Sequence, residues 1–272
     1  MKPRFTTLDA LRGLMAVVVL IEHCLSKTTL RLFPYGWLAV DVFFILSGFV
    51  LAHAYADRVK TWADCGRFLW ARVRRLYPLY FLGLVLGAFS VLGPVAWQSV
   101  ALGVLCLPDF SGTVIQYGAD TRTGYLFPFN GPSWSLWCEM AVNVAWGAML
   151  VLRVPARYLL AAGLLAWGVL ESLYGGWTTG TAHLGLVRVA IGFPLGVMAY
   201  EYRAYLGIGA FASGLSVRWL SWLGGISYAL YVIHMPVIQL VRQFDPMNSV
   251  GTAFAVAGVC VGLAAILTSK TI

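Results

Sequence analysis

Apolar positions in this chain fall into long runs with short polar joints between them, not into the alternation of exposed strands. The first run, Leu8–Leu25, reads LDALRGLMAVVVLIEHCL. It is long enough for a bilayer, which roughly 17–25 apolar residues cross. A second run covers Leu38–Tyr55, and a third starts near Leu76 and reaches Leu92, where Gly93-Pro94 stops it. Further runs cover Ser133–Leu152, Tyr158–Tyr174, His183–Tyr200, Leu220–Leu240 and Val250–Leu267. Val95–Leu107 is too short to cross upright and reads as an interfacial or re-entrant piece. Pro108–Pro132 is a polar loop with turn signals, and Arg203–Arg218 is a Gly/Ala/Ser-rich linker that reads as a hairpin or a simple loop. The pattern predicts an all-α fold: a polytopic transmembrane helical bundle of about eight spans plus one short segment. No internal repeat or separate soluble domain stands out, so residues 1–272 form one membrane-embedded domain.

Composition agrees: 60% of residues are hydrophobic and 11% charged, where soluble domains carry about 25% charged residues. The first run is too studded with polar groups for a signal peptide and is expected to be retained. The net charge of +8 admits nucleic acid as a partner in a soluble protein. Here it follows the cytoplasmic excess of Lys and Arg in membrane proteins, and no nucleic-acid role is expected. With the N-terminus inside and Val95–Leu107 not crossing, fourteen basic residues fall inside and four outside, namely Lys27, Arg31, Arg122 and Arg242. That count predicts an integral membrane protein with both termini cytoplasmic. The five cysteines form no CxxC pair or Cys/His cluster, and no HExxH, P-loop or G-x-S-x-G pattern occurs. Neither a metal site nor a bound cofactor is expected.

Charges inside the runs carry the candidate chemistry, because ionisable groups in a span are costly and often mark function. Arg12 and His23 are eleven residues apart, almost three helical turns, so they share one face roughly 16 Å apart along the axis. His23 reads as a general base for a hydroxyl or as a packed histidine. Arg12 can pair with Asp9 or snorkel to headgroups. Glu22 points about 100° away from His23. Arg72 and Arg75 present two guanidinium groups on one face, suited to phosphate or to an ordinary basic flank. Glu139 lies nearly two turns into a span that starts at Ser133, and Arg188 is its candidate partner. Trp134 and Trp137 read as belt tryptophans or as a sugar-binding wall. Asp41, Ser47, Tyr228, Tyr231 and His234 complete the polar inventory, with Tyr231 and His234 on one face. His53 and His183 read as interfacial.

Five segments in order, LDALRGLMAVVVLIEH, DVFFILSGF, RVRRLYPLY, PSWSLWCEM and GGISYALYVIH, resemble the acyltransferase 3 family over most of residues 6–240. The family hallmark of Arg or Lys, ten residues, then His matches Arg12 and His23, and its Arg-x-x-Arg motif matches Arg72 and Arg75. The resemblance implies an integral membrane O-acyltransferase. Acyl-CoA, acetyl-CoA in the simplest case, is its cytoplasmic co-substrate, and the acceptor is a hydroxyl of an extracytoplasmic glycan or lipid-linked sugar. Arg12, Arg72 and Arg75 would hold the donor phosphates. His23 would act as base or carry the acyl group transiently. Glu139 would orient a partner or the sugar, with Asp9, Asp41, Ser47, Arg188, Tyr228 and His234 in support. Two departures from the family are the short stretch between Tyr200 and GGISYALYVIH and the missing family close after the last run. They leave a compact member, a truncated product or an inactive copy open, alongside a transporter on the same scaffold.

Overall fold

The computed structural model describes residues 5–93, 96–117, 120–170, 172, 174–207, 218–245, 247 and 249–269. Among them, helices occupy the expected runs. They are α1 (Thr6–Leu25), α2 (Ala39–Tyr55), α3 (Trp62–Phe89), α4 (Trp97–Val104), α5 (Ser133–Leu152), α6 (Arg157–Leu170), α7 (Ala182–Glu201), α8 (Arg218–Arg242) and α9 (Val250–Ser269). Within the described residues, five helical stretches are long and apolar enough to cross a membrane: Gly36–Tyr55, Ser133–Leu152, Thr179–Glu201, Trp219–Arg242 and Val250–Ser269. α1 and α3 have the length but carry more charge, and α6 has 14 residues. The protein is thus a helical integral membrane protein. The heart of the linker, residues 208–217, lies outside the described residues, as do Pro94 and Val95 at the start of the short segment.

Two elements differ from the expectation. The helix expected to start near Leu76 starts at Trp62, because Thr61 and Asp64 form a capping box. The Thr61 hydroxyl accepts from the Asp64 N–H at 3.2 Å, and the Asp64 carboxylate accepts from the Thr61 N–H at 3.0 Å. The basic stretch is therefore helical, which gives Arg72 and Arg75 a fixed direction. The second difference is an addition to the helical bundle: the polar loop contains an antiparallel hairpin, β1 (Val114–Tyr117) with β2 (Asp120–Thr123). Four alternating residues per strand are too few to stand out beside twenty-residue apolar runs.

Side-chain packing brings α1 and α8 together along their length. They run parallel: Arg12 meets Ser227, and Ser26 at the far end meets Arg242. A side chain on Gly13 would collide with the Gly224 backbone, so small residues permit the approach. α2 and α7 close in the same way, Gly48 lying on the Phe193 carbonyl and Gly196 on that of Ile45. Phe44, Trp134, Trp146 and Phe193 fill one core between α2, α5 and α7, while Leu20, Leu230, Ile233 and Ile238 fill another between α1 and α8. α3 packs against α5 and α8. Between these pairs a space stays open at the Arg12 end.

Candidate active site

That space is a cavity of about 600 Å³, walled by α1, α2, α3, α5 and α8. Its size lies within the range of small-molecule sites, roughly 300–1,000 Å³. Arg12, Arg58, Arg72 and Arg75 line it, with Asp9, Ser47, Glu139 and Tyr228. Apolar walls come from Phe43, Phe44, Val50, Leu51 and Leu136. Of the expected site residues, the structure gathers seven here from five helices, Asp9, Arg12, Ser47, Arg72, Arg75, Glu139 and Tyr228.

Each is held differently. Arg12 donates from Nε to Ser227 Oγ at 2.9 Å, and from Nη2 to Asp9 at 3.1 Å and to the Gly224 carbonyl at 2.9 Å. It therefore braces α1 on α8 as well as facing the cavity, and the expected Asp9 pairing is present. Arg72 is buried and donates from Nη2 to Glu139 Oε1 at 2.5 Å, while its Nε is buried without a hydrogen-bond partner among the described residues. Ser47 donates to the same carboxylate oxygen at 2.7 Å. Arg75 is exposed, and neither it nor Arg58 forms an ion pair among the described residues. The Tyr228 hydroxyl donates to the Leu76 carbonyl at 2.6 Å, fixing α8 to the start of the apolar part of α3.

Arg188 does not partner Glu139. It forms a two-point ion pair with Asp41, Nε to Oδ1 at 2.9 Å and Nη2 to Oδ2 at 3.0 Å. Its other bonds go to the carbonyls of Gly175 and Trp37, at 2.7 and 3.0 Å. The rings of Trp37 and Trp134 lie over its guanidinium, 5.2 and 5.1 Å from their centroids. The reason is reach: α7 packs on α2, which carries Asp41, and the Ser47–Arg72 side of α5 already holds Glu139. Trp134 is consequently buried in the bundle and not in an interfacial belt, and Trp137 packs against the same core.

His23 lies at the other end of α1, outside the cavity lining. Its Nδ1 donates to the Val19 carbonyl at 2.8 Å. Its ring meets that of His234 edge to face, with centroids 5.1 Å apart. Arg242 donates to the His23 carbonyl at 3.2 Å and to Ser26 at 2.8 Å, closing this end of the α1–α8 pair. Tyr231 connects the two regions. It lines the cavity, its ring centroid is 5.8 Å from that of His234, and its hydroxyl bonds Ser135 at 2.8 Å. Arg12 and His23 do share a face, as the eleven-residue spacing requires, and that face looks onto α8.

Residues 5–209 match the family described as an acyltransferase domain. The chain belongs to the acyltransferase 3 family. With it, the chain is an acyltransferase of groups other than amino-acyl groups. Protein 2 in the picA locus of Rhizobium radiobacter is 39% identical over 189 residues, 58% of this chain and 94% of that protein. Acyltransferase MdmB of Streptomyces mycarofaciens is 32% identical over 188 residues, 61% of this chain and 46% of that protein. The match thus spans less than half the length of the second relative. No solved structure matches the chain.

The cavity also has walls that the sequence pattern did not single out. His53 reads as an interfacial residue at a span end, yet it lines the cavity with Phe5, their rings 4.9 Å apart. Arg58 looks like part of a basic flank and turns into the same space. Ser227 follows the GGI turn of α8 and receives Arg12. Only the last carries a local signal, since a small polar residue beside two glycines allows a close approach.

Proposed function

We propose that the chain moves an acyl group, acetyl in the simplest case, from acyl-CoA to a hydroxyl of an extracytoplasmic glycan or lipid-linked sugar. The observation that carries this reading is the arrangement along α1. A cavity with four arginines surrounds its Arg12 end, while a histidine held through Nδ1 by a backbone carbonyl stands near its other end. Acyltransferase activity is also what the name of the Streptomyces relative states. Guanidinium forks suit the donor's phosphates, so Arg58, Arg72 and Arg75 bind them, with Arg12 holding the wall. The apolar walls receive the arm that carries the thioester, which leads to Tyr231 and on to the histidines. Glu139 keeps Arg72 in place rather than touching the sugar.

The bundle spans a bacterial inner membrane eight times with both termini cytoplasmic, so the cavity opens to the cytoplasm and His23 faces outward. The fourteen-to-four distribution of basic residues supports that orientation. Because a carbonyl accepts the Nδ1 proton, His23 presents Nε2 as a base. Nε2 takes the proton of the acceptor hydroxyl as its oxygen attacks the acyl carbon, and the thiolate leaves.

Purified protein in lipid nanodiscs, given labelled acetyl-CoA and a glycan acceptor, tests this. Label is expected on the glycan, and His23→Ala should reduce transfer by about 10²–10⁴-fold. Full transfer by a folded His23→Ala protein removes His23 from the mechanism. In sealed vesicles, labelled acid that crosses the bilayer without reaching the glycan makes the protein a transporter.

A further inference from the structure

The two histidines at the far end of α1 are held alike, each through Nδ1 to a backbone carbonyl. His23 Nδ1 is bonded to the Val19 carbonyl at 2.8 Å. His234 Nδ1 is bonded to the Tyr231 carbonyl at 2.8 Å and lies 3.3 Å from that of Leu230. Carbonyls only accept, so in each neutral ring Nδ1 carries the proton and Nε2 keeps its lone pair. His234 is 1% exposed, and its Nε2 is buried with no hydrogen-bond partner among the described residues. Buried polar atoms are ordinarily bonded, so one left open is available to a donor, and the nearest ring is that of His23. Its ring meets that of His23 at 5.1 Å between centroids, with planes 64° apart.

Among the described residues, the His23 ring has no hydrogen-bond acceptor besides the Val19 carbonyl. From α8, Arg242 reaches its carbonyl, and from the hairpin the charge of Arg122 acts on its ring; both are cations. On α1, the Glu22 carboxyl lies against Gly36, about 100° around the helix from His23. The Tyr231 hydroxyl, beside His234, is engaged with Ser135. Neither imidazole forms an ion pair with a carboxylate among the described residues. The usual device of a carboxylate behind a catalytic histidine is therefore not what stabilises an imidazolium here.

We propose that His234 is the positioning residue of acyl transfer: its open Nε2 accepts the N–H that His23 acquires, so that two imidazoles hold one proton between them. This rests on the reading of His23 as the base. As the acceptor oxygen bonds to the acyl carbon of the thioester, its proton passes to Nε2 of His23. Rotation of the His23 side chain turns that new N–H onto Nε2 of His234. The C–S bond then breaks, and the shared proton leaves with the thiolate to give the free thiol. Acceptor, thioester and product ester balance without another reactant. Two imidazolium rings in contact repel each other, so the pair takes one proton and resists a second.

The test compares His234→Phe, which keeps a ring and removes both nitrogens, with His234→Gln, which keeps an acceptor atom. Wild-type transfer and its loss in His23→Ala first establish the base. His234→Phe should then lower kcat by about 10- to 100-fold with the donor KM unchanged, and displace the acidic limb of the kcat–pH profile by about one unit. His234→Gln should recover part of kcat. A wild-type kcat and pH profile in His234→Phe overturns the pairing and leaves the acyltransferase reading intact. A second measurement needs no activity. In wild-type protein labelled with 15N-histidine, half-protonation of His23 should produce a through-hydrogen-bond N–N coupling to His234 Nε2. Resolved signals from both rings without that coupling overturn the proposal, also where the variants fail to fold.

Discussion

Two buried arginines, each facing a carboxylate across helices, divide the molecule into a brace and a site. Arg188 is closed: Asp41 takes two of its bonds, two carbonyls take others, and tryptophan rings cover it. Arg72 is open: one nitrogen reaches Glu139, while Nε is buried with no hydrogen-bond partner among the described residues, in the wall of a cavity. Their burial is close, 0% against 8% side-chain exposure, so depth does not separate them. What separates them is how many donors the protein itself fills. A guanidinium whose donors are satisfied has nothing left for a ligand, and one with spare donors beside a void is prepared for an anion.

The largest break in that contrast comes from the closed pair. Asp41→Ala leaves the Arg188 charge buried without its counter-ion and should cost about 3–5 kcal/mol, read as a large drop in thermal midpoint in detergent. A loss below about 1 kcal/mol would make Arg188 no more of a brace than a surface pair. Glu139→Gln breaks the open pair beside a cavity that water or ligand can enter. Its expected cost is smaller, about 1–3 kcal/mol, and the order of the two midpoints checks the comparison directly. Arg75→Gln should leave stability within about 0.5 kcal/mol, because the side chain is exposed. It should raise the donor KM about tenfold, equivalent to roughly 1.4 kcal/mol of lost binding.

The smallest effect supplies a baseline without burial. Hydrogen bonds from Thr61, from Arg67 and from the Lys60 backbone hold the Asp64 carboxyl down at about 2, against an ordinary 3.8. A carboxyl lowered on folding stabilises above its unfolded value, and that contribution is lost as pH falls through the folded value. Between about pH 4 and pH 2 the first turn of α3 should therefore loosen. Hydrogen exchange at that turn reads the change, and Asp64→Asn should show no acid step.

Which residues face each other was legible along a helix and hidden across the bundle. The spacing of Arg12 and His23 gives their common face, and three residues between Asp9 and Arg12 give their pair. Nothing in spacing connects Ser47 to Glu139 or His23 to His234, because the contacts depend on which helices pack together. The mistaken pairing of Glu139 with Arg188 has this origin: both lie within apolar runs, and periodicity carries no partner. The early start of α3 was readable from Thr61 and Asp64, but a polar first turn reads as a loop when apolar runs define the helices. His53 shows the reverse case, a residue at a span end that a cavity makes central.

The division of labour along α1 is tested most directly by equilibrium binding of CoA to purified protein. Wild-type and His23→Ala proteins should bind alike, since His23 lies outside the cavity. Arg72→Lys, which loses the fork, should bind about tenfold more weakly or worse. Equal binding by all three, or a loss in His23→Ala as large as in Arg72→Lys, would contradict a donor site at the Arg12 end.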